Sequence, residues 1–238
     1  MKKIIALILS IFIVICFVGC ENMFDTNKPD ADGAGLYITG TNELLYSWSK
    51  MIKKGWVNSD GTVNDGYEDD ISGKLVLPST ITSVPDSAFS WCQNLEEIVL
   101  HKSVHTIGER AFDTCTALTS LTIPCNIGAD AFYFCTNLKT VTILEGVTQI
   151  GDSSFYGCES LQTINIPKSL KKLGSKVFAE TGNLNIVYNG TRAEWRSIDK
   201  PIAHSLTYNE IIKEWDHDAG RYTIKCTDGN INWANEDE

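Results

Sequence analysis

The chain has 238 residues and a formal net charge of −10, from 20 Lys+Arg against 30 Asp+Glu. At 43% hydrophobic and 21% charged residues it can bury a core and is not a disordered chain. The acidic balance argues against non-specific nucleic-acid binding, which uses a Lys/Arg surface to neutralise phosphate. Eight cysteines leave three readings open at the outset: disulfides, metal ligands or packing.

Lys2 and Lys3 open the chain with positive charge, and residues 4–18 follow as a run that is apolar except for Ser10. A membrane span needs about 20 such residues, so the run fits an export leader better. It ends in Phe17-Val18-Gly19-Cys20. Small residues before a cysteine at that place resemble the bacterial lipoprotein box, with Phe17 where leucine is usual. The resemblance implies cleavage before Cys20, a lipid on its sulfur, and an exported chain anchored to a membrane. The competing readings are a plain signal peptide or an N-terminal anchor helix. Losing Lys2 and Lys3 with the leader takes the formal charge from −10 to −12. Residues 20–35 are polar, acidic and turn-rich, and read as a flexible tether. Asp25, Asn27, Asp30 and Asp32 lack the ligand spacing of a calcium loop.

Residues 36–71 read as an N-terminal cap. Within residues 42–55, Leu44, Leu45, Trp48, Met51 and Ile52 recur at helical spacing and predict an amphipathic helix ended by Gly55. Such a helix would cover the open edge of the first strand. Asp60-Gly61 and Asp65-Gly66 mark turns in the loop that follows.

From residue 72 to 190 the chain repeats. Phe89, Phe112, Phe132, Phe155 and Phe178 are spaced 23, 20, 23 and 23 residues apart. Three residues on stand Cys92, Cys115, Cys135 and Cys158; six on stand Leu95, Leu118, Leu138, Leu161 and Leu184. Nine on stand Ile98, Leu121, Val141, Ile164 and Val187, and five before stand Val84, Ile107, Ile127, Ile150 and Leu173. A fixed period of this length is the signature of a leucine-rich solenoid. Leu121 and Ile123 alternate inward on a short strand that Pro124 stops. Ile107-Gly108 returns an aliphatic to the core. Ala111-Phe112 are expected on the opposite wall in a helical or 3-10 turn. Stacked units bring the strands into a parallel sheet. The fold class expected is therefore an α/β repeat solenoid: about five 20–23-residue repeats, a parallel sheet on one face, a helical N-terminal cap and a C-terminal cap. The third unit is short between Ile123 and Ile127, around Cys125 and Asn126. The fifth has Val177 for alanine and Thr181 for cysteine, as a terminal repeat facing a cap would.

The pattern Leu-x-x-Ile-x-Ile-Pro-x-x-Val-x-x-Ile-Gly-x-x-Ala-Phe-x-x-Cys resembles the BspA-type leucine-rich repeat of bacterial surface proteins. The resemblance implies display on the cell surface, in the outer membrane of a bacterium, and adhesion to host extracellular-matrix proteins or to other bacteria. Residues 191–238 form the expected C-terminal cap. It holds a short helix with Trp195 near residues 192–198, a helix or strand at residues 208–215, and a closing strand and turn from Tyr222 to Gly229. Trp195, Trp215 and Trp233 fit cap packing, with an aromatic ligand site as the sharper alternative.

Little in the sequence points to catalysis. His101 and His105 fall in a bend without a zinc-protease motif, and neither a Walker loop nor a nucleophile elbow is present. His204 and His217 lie in the C-terminal cap. No catalytic residue, metal or cofactor is expected. Four cysteines, one per unit, lack zinc-site spacing. They read as a ladder of buried thiols, with a Cys115–Cys135 or Cys125 pairing as the minor alternative. Two carboxylates from different elements could still form a glycosidase site, so a carbohydrate-active enzyme remains one alternative. A structural or scaffolding lipoprotein in the periplasm is another.

The best candidate surface is the outward face of the sheet. Alternation places there Lys74 and Val76, Glu97 and Val99, Ser120 and Thr122, Thr140 and Thr142, Thr163 and Asn165, and Ile186 and Tyr188. The candidate partner-binding set is Val76, Glu97, Val99, Ser120, Thr122, Thr140, Thr142, Thr163, Asn165 and Tyr188. Threonine also simply favours strands, so composition alone does not decide between a binding face and a well-formed sheet.

Overall fold

In the computed structural model, residues 30–41, 43–200 and 222–231 are described. The leader, Cys20, the first part of the tether, residues 208–215, Trp215, Trp233, His204 and His217 lie outside the described residues. Among the described residues no helix is long and apolar enough to cross a membrane.

The fold starts before residue 36. Asp32 accepts from the amide of Ser79, and Ala34 is fully buried, so the last residues of the expected tether belong to the domain. Strand β1 (Gly35–Tyr37) pairs antiparallel with β2 (Leu44–Ser47) on one side. On the other it pairs antiparallel with β3 (Gly73–Val76), setting Leu36 opposite Leu75. Helix α1 is short (Trp48–Lys53), N-capped by the Ser47 hydroxyl, which accepts from the Lys50 amide. The long helix expected over residues 42–55 is thus corrected to a strand followed by a helix. The reason is backbone chemistry. β1 covers the edge of β3 and itself presents an open edge of unpaired N–H and C=O groups, which β2 satisfies where a helix cannot. Leu45, on the apolar face of the expected helix, is 43% exposed, while Trp48 and Met51 of the real helix are buried.

Each turn of the solenoid contributes three walls. The first carries β3, β5 (Leu95–Val99), β7 (Ser120–Ile123), β9 (Thr140–Ile143), β11 (Thr163–Ile166) and β13 (Leu184–Tyr188). From β7 onward these form one parallel sheet in register: Leu121 beside Val141, Val141 beside Ile164, Ile164 beside Ile186. β3 and β5 pair separately, parallel to each other. Between β5 and β7 the sheet opens: the Thr119 amide reaches Glu96 O at 3.4 Å, where the equivalent bonds of the next three rungs are 2.9 Å.

The second wall is a sheet of two-residue strands: β4 (Ser83–Val84), β6 (Thr106–Ile107), β8 (Asn126–Ile127), β10 (Gln149–Ile150) and β12 (Lys172–Leu173). Coils approach so closely here that a Cβ on Gly128 would lie 2.7 Å from the carbonyl carbon of Gly108. In the short third unit, Cys125 is buried and the Asn126 side chain stands in for absent backbone. Its Oδ1 accepts from the Thr148 amide and hydroxyl and from the Gln149 amide.

The third wall corrects the helical turn expected around Ala-Phe. It is a chain of tight turns with a left-handed residue two before and two after each phenylalanine, such as Arg110 (φ 54°) and Thr114 (φ 59°). This backbone directs alternate amides along the solenoid axis. The amides of Arg110, Phe112 and Thr114 donate to the carbonyls of Ala129, Ala131 and Tyr133 of the next unit, in that order, with Phe112 to Ala131 at 2.8 Å. A helix would turn those amides onto its own carbonyls, leaving coils joined on two walls only.

Between the walls, Phe89, Phe112, Phe132 and Phe155 stack with centroids 5.2–5.4 Å apart and planes within 5°. All four are fully buried. Burying each contributes about 1.5–3 kcal/mol before stacking is counted. The stack ends at Phe178, 6.2 Å from Phe155, where Tyr222 packs edge-on at 6.4 Å and donates to Phe178 O. Two of the expected C-terminal elements fall on described residues, the short helix and the closing strand. Helix α2 (Arg192–Arg196) starts in a Thr191/Glu194 capping box and buries Trp195. Strand β14 (Tyr222–Cys226) joins β13 in parallel, and β15 (Gly229–Ile231) folds back on it.

Candidate partner-binding surface

Inward residues of the first wall fix which side chains face out. Ile98, Leu121, Val141 and Ile164 are at most 4% exposed. Their neighbours therefore face outward: Val76 and Val99 half-buried, Glu97, Ser120, Thr122 and Thr140 exposed, and Thr142, Thr163 and Asn165 half-buried. Register stacks Ser120, Thr140 and Thr163 in one row and Thr122, Thr142 and Asn165 in another. Within the second row Asn165 Nδ2 donates to Thr142 Oγ1 at 3.3 Å. At one end of the strip Lys74 pairs with Glu97 at 3.1 Å.

Tyr188 does not belong to this strip. It is 2% exposed, lies beside Ile166 in the ladder, and packs edge-on against Trp195 at 5.2 Å. Ile186, also expected outside, is buried too. The fifth unit spaces its inward residues Leu184-x-Ile186, where the others use Leu-x-x-Ile, so counting nine residues from Phe178 lands one position off the inward residue. The outward residues there are Asn185 and Val187. Asn185 Oδ1 is buried without a hydrogen-bond partner among the described residues. The strip also continues onto β14 through Thr223 and Lys225, which sit beside Asn185 and Val187. Alternation around buried Ile224 is the sequence signal for those two. From Ser120 to Val187 the outward rows carry no charged residue, while Lys74, Glu97 and Lys225 mark the ends.

The cysteines line the core instead of a site. Cys92, Cys115, Cys135 and Cys158 are free and fully buried. The last three each donate to the carbonyl of the phenylalanine one unit back, at 3.1–3.3 Å. Burial pushes the Cys92 and Cys158 thiols up to about 12 and those of Cys115 and Cys135 well above their ordinary value. They are therefore neutral and unreactive near neutral pH. Among the described residues no group of three or more His, Cys, Asp or Glu is placed to hold a metal. His101 Nδ1 accepts from the Ser103 amide at 3.2 Å and so braces a bend, while His105 is exposed. An open depression of about 420 Å³ lies where the sheet opens, lined among others by Asn94, Glu96, Thr119, Asn137 and Lys139. It supplies one carboxylate, where glycoside hydrolysis employs a pair.

The profile of the BspA type Leucine rich repeat region matches residues 67–188 in six copies. No curated protein matches the chain. Among solved structures, the chain is similar to a leucine-rich repeat protein of T. pallidum at 24% identity (48% of this chain, 72% of that one, TM-score 0.41). It is similar to the pneumococcal vaccine antigen PcpA at 27% identity (49% and 30%, TM-score 0.46). A leucine-rich repeat protein of Eubacterium ventriosum matches at 19% identity (76% and 56%, TM-score 0.48). With the repeat profile spanning just over half of its length, the chain belongs to the BspA-type leucine-rich-repeat family.

Proposed function

We propose that this is a cell-surface lipoprotein, held through Cys20, whose sheet face binds a protein partner: a host extracellular-matrix protein or a surface protein of another bacterium. BspA-type repeat proteins are commonly protein-interaction proteins of the cell surface, and this chain shares their repeat. The observation that carries the reading is the strip itself. Ser120, Thr122, Thr140, Thr142, Thr163 and Asn165 stand in two in-register rows on a parallel sheet, uncharged and able to donate and accept. A preformed surface of this kind loses little side-chain entropy on binding. Its length, running in register from β7 to β13, suits an extended protein surface better than a small molecule, which prefers a concave pocket.

Location and anchoring are tested on intact cells. The proposal expects added protease to remove the domain from outside. It expects Cys20→Ser to shift the protein from the detergent phase to the aqueous phase. Protection from protease until the outer membrane is opened would place the protein in the periplasm and contradict the adhesive reading.

A further inference from the structure

The N-terminal end of the solenoid carries a patch that the repeat does not explain. Lys50 and Lys54 each lie 4.9 Å from the centre of the Tyr46 ring, and Lys54 lies 4.6 Å from that of Trp56. Tyr46 and Trp56 meet edge-to-face at 4.8 Å. Lys53 is exposed on the same short helix, and α1 has no acid in its first turn. In a chain of formal charge −10 this concentrates positive charge on two aromatic rings. Aromatic rings with polar edges and lysines with long apolar stems are the residue types that settle at a bilayer's headgroup level.

The route of the chain points the same way. Asp30 Oδ1 accepts from Ser49 Oγ at 3.2 Å, so the polypeptide enters the fold beside the first turn of α1. Cys20 is ten residues upstream, a span of roughly 36 Å at full extension. A lipid on Cys20 would therefore keep this end of the solenoid within reach of the membrane and raise its effective concentration there. The acids of the next loop, Asp60, Asp65 and Glu68 to Asp70, oppose attraction to an anionic surface. The patch is thus suited to act with an anchor, as a second weak signal beside a lipid, and not alone.

We propose that Lys50, Lys53 and Lys54, with Tyr46 and Trp56, dock the N-terminal cap onto the anionic headgroups of the membrane that carries the anchor. This rests on the reading of Cys20 as the lipid attachment. Docking by this end would stand the solenoid away from the bilayer and leave the hydroxyl strip clear for a partner.

The test uses the full chain, produced in a bacterium that lipidates it and reconstituted into phosphatidylglycerol or phosphatidylcholine vesicles. Flotation reports the anchor, and the acetylation rate of each lysine, read by mass spectrometry, reports docking. The expected result is flotation with both lipids and acetylation of Lys50, Lys53 and Lys54 about tenfold slower on phosphatidylglycerol. Salt at 0.5 M should remove that protection, because it shortens the screening length. Lys102 and Lys171 should react equally on both vesicles, and Lys50→Glu with Lys54→Glu should float yet leave Lys53 unprotected. Flotation with equal rates at the three lysines on both lipids overturns the docking and leaves the anchor standing. Failure to float with either lipid overturns the anchor reading and the docking with it.

Discussion

The thiol of Cys135 donates to the carbonyl of Phe112, 3.3 Å away in the preceding coil. Cys115 does the same to Phe89, and Cys158 to Phe132. A small polarisable side chain both fills the wall beside the phenylalanine stack and satisfies a carbonyl there. Cys92, Cys115, Cys135 and Cys158 should resist alkylation in the native protein and react together on unfolding, whereas half-exposed Cys226 should react first. A timed labelling series read by mass spectrometry checks this order.

The same burial makes stability depend on alkaline pH. Cys158 titrates near 9 when unfolded and at about 12 when folded. Its folded pKa is raised, so its contribution is complete below pH 9 and is lost as pH rises from 9 towards 12. Lys200, lowered to about 8 by burial, acts in the opposite sense between pH 8 and 10.5. The comparison that isolates the thiol is therefore Cys158→Val against wild type. Chemical denaturation should show a shallower loss of stability above pH 9 in the variant, and equal slopes would contradict the assignment.

Phe132→Ala removes the middle ring of the stack, which touches Phe112 and Phe155 at 5.2 and 5.4 Å. The expected cost is about 3–5 kcal/mol. In a solenoid each unit is stabilised by its neighbours, so the break should also uncouple the two halves of the array. Urea unfolding should become broader and less cooperative, and should not merely shift its midpoint.

Gly128→Ala tests the second wall. The new methyl would press on the Gly108 backbone, which has no rotamer to move away. Destabilisation of about 1–3 kcal/mol is expected from overpacking. Gly146→Ala, where nothing lies within 4 Å of the new Cβ, carries backbone strain alone at its φ of +99°. Its loss of urea-midpoint stability should be the smaller of the two.

How much of this was legible in sequence follows from which interactions leave a periodic trace. Phenylalanine, leucine and cysteine recur because each meets its own copy one coil away, so the solenoid, its period and its inward residues could be read directly. The third wall could not. Its left-handed positions two before each phenylalanine hold Ser87, Arg110, Asp130, Ser153 and Lys176, and no one side-chain type is common to the five. What they share is a backbone conformation imposed by bonds to the next coil. The N-terminal hairpin was hidden for a related reason. Leu44 and Leu45 carry a helical apolar spacing, and the demand of the β1 edge for a backbone partner overrides it. The misplacement of Tyr188 is different again: the signal was present in Leu184-x-Ile186, and repeat counting passed over it. The strip's chemistry was legible, but its continuation onto Thr223 and Lys225 needed the pairing of β14 with β13.

The central claim is that the outward face of the first wall is the binding surface. Its most direct test is binding of wild type, Thr122→Arg with Thr142→Arg, and Thr106→Arg with Gln149→Arg to a panel of immobilised extracellular-matrix proteins. Thr106 and Gln149 are exposed on the second wall, so that pair adds the same charge away from the strip. The account predicts that the strip variant loses binding at least tenfold while keeping its melting temperature, and that the second-wall variant binds as wild type does. Unchanged binding by the strip variant, or equal loss in both, would contradict it.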